Sequence, residues 1–303
     1  MIELGAGHFT DLCAQETVRE RIGAVEGERA VAVRKFWTRG AIGLVLAVAA
    51  LLTLLASGWE TVAFVAFVVF LVAAIIAAIM PLTNVSEGLK LPVLEELARR
   101  CGMEFMPDGF TPPVYGHARD LLFGHLSGES FSDLFHGADE EGRGYAVYEA
   151  CLQRRVGKNT TIVFSGQIYA IHKRPGGNGT TVIVPDRSIF NFFKPASDME
   201  RVRIEGDEAF EKRFEVYSTV PMEAKQLLFS SDLRKCLLEL REAGSVSVYV
   251  SPEETLVAAH THKNRFEPGS MLRRRPPEER VRMMFDDVAA SLATLKKLKA
   301  RLG

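Results

Sequence analysis

His260 and His262 stand two residues apart, a spacing that puts two imidazoles on the same face of a strand and begins a metal site. Metal-dependent hydrolysis is the chemistry such a pair would serve, given a third ligand, and Glu267 or His172 supplies one only if the fold brings it close. The competing reading is a pair of ordinary strand-end histidines. Gly176, Gly177, Asn178 and Gly179 offer backbone amides of the kind that cradle phosphate. A phosphate loop leads into a helix and usually a lysine, whereas this cluster leads into the run Thr180 to Val184, so a hairpin connection fits it better. Cys151 sits in an alternating segment and Cys236 among apolar helix neighbours, which reads as burial rather than nucleophilic use. The four cysteines lie far apart with no C-x-x-C pair and are expected to be free thiols. No catalytic constellation and no cofactor motif emerges, so the expected cofactor set is none.

Basic residues raise a different chemistry. Arg273, Arg274 and Arg275 stand before the last helix, and the segment Met271 to Gly303 carries nine basic and four acidic side chains. Such a patch on a membrane-tethered domain could meet anionic headgroups, at about 1 kcal/mol per basic residue near the surface. Solvated helix charges are the alternative. Nucleic acid is not an expected partner: the chain balances 37 basic against 38 acidic residues, and no aromatic side chains are interleaved with the charges.

The elements that must position these residues begin with a membrane segment. Between Ala41 and Met80 only Glu60 is charged, in a chain that is 25% charged overall. Ala41 to Ser57 holds fourteen apolar residues in seventeen, and all nineteen residues of Val62 to Met80 are apolar. As helices they are about 26 and 28 Å long, enough to cross a bilayer core of about 30 Å once flanking residues are added. Gly58, Trp59, Glu60 and Thr61 leave room only for a tight turn, so the spans form an antiparallel hairpin, with Pro81 expected to end the second. Arg34, Lys35, Trp37 and Arg39 belong at one membrane interface and Trp59 at the other. Lys90, Arg99 and Arg100 follow the second span and the turn has no Lys or Arg, which places both termini in the cytoplasm. The expected organisation is a partly helical N-terminal segment over 1–40, a transmembrane hairpin over 41–82 and a cytoplasmic α+β domain over 83–303. In the first segment Val18, Ile22, Val25, Arg29 and Val33 share one helical stripe.

Within the domain, Leu89 to Cys101 has helical periodicity and Gly102 as a stop. Alternation from Tyr145 to Leu152 and from Ile162 to Ala170 predicts paired strands, followed by a third over Thr180 to Pro185. Further strands are expected at Arg201 to Glu205, Phe214 to Ser218, Ser245 to Ser251 and Thr255 to Thr261. Helices over Met222 to Phe229 and Asp232 to Ala243 interrupt them, and a long helix after Pro276 and Pro277 closes the chain. Leu126 to Gly144, rich in Gly, Ser and Asp, reads as a mobile loop with a short helical turn, and Phe131, Leu134 and Phe135 as a docking surface. The fold class is α+β with a mainly antiparallel sheet, inserted helices and a long C-terminal helix.

With these pieces in place the chain resembles a family of uncharacterised bacterial membrane proteins, a domain of unknown function. The resemblance runs from the hairpin to the final helix and is carried by Phe164 to Tyr169, the strand ending at Asp186, Phe210 to Ser218, Met222 to Leu228, and Arg265 to Pro268. It implies a membrane-tethered cytoplasmic domain in the bacterial inner membrane, sometimes encoded beside LemA-type membrane proteins, and no established activity. The expected function is therefore a membrane-anchored binding module, an adaptor or scaffold, with the bilayer and a protein such as a LemA-type partner, or a second copy of the chain, as what it meets. A metal-dependent hydrolase using His260 and His262 and an anionic-lipid-responsive module are the alternatives.

Overall fold

The computed structural model describes residues 4–173, 176–186, 198–261 and 264–302. After α1 (Ala6–Ala14), the apolar runs lie inside two much longer helices, α2 (Glu16–Ala56) and α3 (Glu60–Arg100), of 41 residues each. At 1.5 Å per residue each is about 60 Å long, roughly twice a hydrocarbon core. Gly58, at φ 77°, takes the left-handed conformation that ends α2. The Trp59 amide then donates to the Leu54 carbonyl at 3.1 Å, and that of Gly58 to Leu55 at 3.1 Å, closing the helix and reversing the chain. Farther along, a Cβ on Gly43 would stand 2.1 Å from that of Ala74, so the helices approach there as only glycine permits.

Pro81 does not end the second helix, and Leu89 to Cys101 is not a separate one: α3 runs through both Pro81 and Pro92. A proline inside a helix frees the carbonyl four residues earlier, here that of Ala77. Arg39 Nη1 donates to this carbonyl at 3.1 Å, so the lost backbone bond is replaced from the neighbouring helix.

Two compact bodies result. A helical body comprises Leu4–Leu97 and Phe266–Asp286, and a sheet body comprises Ala98–Arg265 and the residues from Asp287 onward. In the helical body the segment after Phe266 is fastened by buried cations. Arg280, 1% exposed, donates to the carbonyls of Pro268, Gly269, Ser270 and Arg273 at 2.6–3.4 Å. Arg29 reaches the Met271 carbonyl at 3.4 Å while pairing with Glu26, and Lys90 pairs with Glu267 at 2.7 Å.

The sheet body holds nine strands among the described residues, all paired antiparallel: β1 (Glu104–Met106), β2 (Gly128–Ala138), β3 (Gly144–Val156), β4 (Asn159–His172), β5 (Thr181–Pro185), β6 (Glu200–Val202), β7 (Phe214–Ser218), β8 (Ser245–Val250) and β9 (Glu254–His260). Their order across the sheet is β1-β2-β3-β4-β9-β8-β5-β7-β6. The α+β class and the antiparallel sheet are as expected. One departure is that β5 does not pair with β4: the far edge of β4 is taken by β9, in register from Gly166 with His260 to His172 with Glu254. The other is that the expected loop over 126–144 is mostly β2, whose Ser and Gly residues lie in a ladder with β3 broken only between Ser132 and Phe135. Leu134 and Phe135 are core residues, 4% and 0% exposed, rather than a docking surface.

Helices cover the sheet because both faces are apolar. Tyr148, Leu152, Ile168 and Leu256 form one core with α4 (Tyr115–Leu122) and the segments beside it. On the opposite face, Gln167 and Ser291 join β4 to α8 (Pro277–Leu302) at 2.8 Å, and the Tyr169 hydroxyl donates to Gln167 Oε1 at 2.9 Å. All three groups are buried, and burial pushes the Tyr169 hydroxyl up to about 12.

Candidate functional site

The sheet body carries a cleft of about 460 Å³ where β1 to β4 meet the irregular segment 107–113. That is within the usual range of small ligand sites. Leu134, Ala146 and Ala170 line it from the sheet and Phe110 and Pro113 from the segment. Two glycines give the cleft its room: a Cβ on Gly137 would press within 3.1 Å of the Tyr145 ring, and one on Gly144 within 3.1 Å of the His172 ring. The polar lining is Thr111, His136 and His172. His136 Nε2 is buried and makes no hydrogen bond among the described residues, with the Glu104 carboxylate 3.5 Å away.

Strained backbone flanks the same place. Val114, next to Pro113, has φ 63°, and Asp133, next to Leu134, has φ 55°. For a β-branched residue this is a true outlier, of the kind that costs about 1–3 kcal/mol and concentrates at functional sites. The surrounding contacts hold it: the Tyr148 hydroxyl donates to the Pro113 carbonyl at 3.0 Å, and the Asp133 amide to that of Pro107 at 2.9 Å. Glu254, opposite His172 in register, ties the cleft to α4, its carboxylate being 2.9 Å from His117 Nδ1 and 3.8 Å from His172 Nδ1. The hydrogen bond to Glu254 raises the His117 pKa. The cleft thus combines apolar walls with imidazoles and a hydroxyl, groups able to offer a ligand shape and a few hydrogen bonds.

The sequence candidates fall elsewhere. His260 ends β9, where its Nδ1 accepts the Ser165 amide at 2.9 Å. His262 lies outside the described residues. His172 is at the far end of the β4–β9 ladder from His260, about 20 Å away at 3.3 Å per residue. Among the described residues no group of three or more His, Cys, Asp or Glu is placed to hold a metal ion. In the Gly176–Gly179 cluster, the amides of Asn178 and Gly179 are already bound at 3.0–3.2 Å by the Glu223 carboxylate, an internal anion where a phosphate would sit. Cys236 is buried, which raises its thiol pKa. Arg34, Lys35 and Arg39 are exposed on α2, and Trp37 and Trp59 are 68% and 62% exposed. Arg274 stands 3.6 Å from Glu26, Arg275 pairs with Glu279 at 2.9 Å, and Arg273 lends its carbonyl to Arg280. Sequence reasoning missed the sheet cleft because its room comes from Gly137 and Gly144, which stand opposite Tyr145 and Ala138 in the β2–β3 ladder and belong to no motif.

With this geometry in view, the comparisons place part of the chain. Residues 162–300 match DUF3137, a protein family of unknown function. The match runs from β4 to near the end of α8, a little under half of the chain, and includes the segments that carry the resemblance to an uncharacterised family. No curated protein matches the chain. Among solved structures, the crystal structure of the mycobacterial trehalose monomycolate transport factor A, TtfA, is similar at 13% identity and a TM-score of 0.39, over 70% of this chain and 94% of that one.

Proposed function

We propose that this chain is a membrane-anchored binding module, an adaptor or scaffold whose sheet cleft receives an apolar side chain of a partner protein. The observation that carries the anchor is the outward face of α2 and α3. Among the described residues, nineteen large apolar side chains between Ile42 and Met80 are 40% or more exposed. Half-burial of such side chains is worth on the order of 1 kcal/mol each, so leaving all of them in water would rival the 5–15 kcal/mol stability of a whole domain. A bilayer removes that cost, and the two helices are long and apolar enough to cross one. The basic residues beside the spans and their absence from the turn favour cytoplasmic termini and an anchor near residues 41–82. A LemA-type membrane protein is the partner class to examine first.

A photoreactive residue at Met106, which lines the cleft and is 39% exposed, tests the binding role in cells. The expected result is a discrete adduct with another protein that disappears when Thr111→Trp blocks the mouth, and no such adduct from the same probe at Phe229. Adducts unchanged by Thr111→Trp would contradict the role of the cleft, and adducts with a second copy alone would make the module a homo-oligomer.

A further inference from the structure

The helical body has a cavity of its own, of about 700 Å³, between α2 and α3. From it we infer a binding site for the phosphate headgroup of an anionic phospholipid, with Lys35 and Arg39 as the cations that receive it. The inference rests on the membrane-anchor reading above.

Gly27, Val31, Lys35 and Arg39 recur every fourth residue and so line one stripe of α2, facing Met80, Pro81, Asn84 and Val85 of α3 across the cleft. Nearer the turn the helices are closed together at Gly43 and Ala74, so the cleft lies on the side of that contact toward the N-terminus of α2. Its level is also fixed by sequence: Arg39 precedes the first residue of the apolar run, Ala41, by two positions, and Met80 is the last residue of the other run. The cavity therefore stands where hydrocarbon gives way to headgroups, the depth at which basic pockets between membrane helices take anionic lipid.

Its charge suits an anion. The lining contains one acid, Glu28, which Arg21 pairs at 3.3 Å, leaving Lys35 and Arg39 as the net charge. Arg39 uses Nη1 on the Ala77 carbonyl that Pro81 frees, which fixes the guanidinium at the cavity, and a guanidinium has five N–H donors in all. A guanidinium and an ammonium on one stripe match a phosphodiester, and Val31, Met80, Pro81 and Val85 offer apolar wall to the glycerol and the first acyl carbons. The Arg273–Arg275 triplet is less well placed for this. Arg274 lies beside Glu26, fifteen residues before Ala41, or about 22 Å along the helix, and surface charge is screened over about 8 Å.

The test uses the full chain, purified in mild detergent and observed by native mass spectrometry with added phosphatidylglycerol or phosphatidylcholine. One phosphatidylglycerol should be retained in preference to phosphatidylcholine, and Lys35→Glu should weaken that retention about tenfold. Asn84→Asp, which adds an acid to the opposite wall and leaves the Arg39 bond intact, should act in the same direction and guards against a single variant that misfolds. Excess inorganic phosphate should leave the lipid bound, because the apolar wall has nothing to gain from the free ion. Equal retention of the two lipids, no effect of either variant, or displacement by inorganic phosphate would overturn the site. Release of the chain from membranes by alkaline carbonate would overturn the anchor and the site together, whereas a carbonate-resistant chain without lipid preference overturns the site alone.

Discussion

The two bodies differ in whether they bury cations. Among the described residues every buried cation, Arg29, Lys90 and Arg280, belongs to the helical body, whereas the buried polar groups of the sheet body are amides, hydroxyls and carboxylates such as Gln167, Ser291 and Glu149. The clefts repeat the contrast, with Lys35 and Arg39 in one and Thr111, His136 and His172 in the other. A long helix pair exposes little backbone, so a loop packed on it must find donors among side chains, and arginine supplies several from one group. A sheet satisfies its backbone by pairing and needs only neutral groups to orient a covering helix. In the helical body buried cations fasten the segment after Phe266, whereas in the sheet body the neutral pair Gln167 and Ser291 joins β4 to α8.

Removing a cation from the helical body should give the largest effect. Arg280→Ala strands the carbonyls of Pro268 and Ser270, and since hydrogen bonds to charged groups are worth about 1.5–3 kcal/mol, the full chain should lose about 3 kcal/mol in a denaturant titration. A loss well below 1 kcal/mol would show that the segment 266–276 is not held by this side chain. The matching change in the sheet body is Gln167→Leu, which leaves the buried Tyr169 hydroxyl without its acceptor and should cost about 1–2 kcal/mol by the same measurement. If it cost more than Arg280→Ala, the contrast between the bodies would fail.

The smallest effect concerns pH. The His117 pKa is raised above its ordinary 6.5 by the bond to Glu254, so any stability from this pair is full below about 6.5 and is lost as pH rises through the folded value. His117 is mostly exposed, so the change belongs to the local pair and its ring resonances rather than to the global melt. An NMR titration should show it ionising above the ordinary value, and Glu254→Gln should return it there. An unshifted His117 in the unaltered chain would mean that the pair does not form in solution.

How much of this was legible in sequence depended on the range of the causes. Composition located the apolar runs, period-two alternation located β3 and β4, and the expected strand over Phe214 to Ser218 matches β7 end for end. Local rules failed where a distant partner overrides them. Pro81 reads as a stop until Arg39, 42 positions earlier, takes the freed Ala77 carbonyl. Gly128 to Ala138 reads as a loop until β1 and β3 pair along both edges. The β4–β9 adjacency spans nearly a hundred residues and leaves no periodic trace. The candidate site shows the same limit: His172 and Glu254 are unremarkable in isolation, and only the ladder brings them together beside the cleft.

Thiol labelling across the membrane tests the central claim most directly. In a chain whose four cysteines have been replaced, Ser57→Cys lies in the turn between α2 and α3 and Thr111→Cys at the mouth of the sheet cleft. An anchor with cytoplasmic recognition requires an impermeant maleimide to label Ser57→Cys in intact spheroplasts and Thr111→Cys only after lysis. Labelling of both sites only after lysis, or of Thr111→Cys from outside, would contradict it.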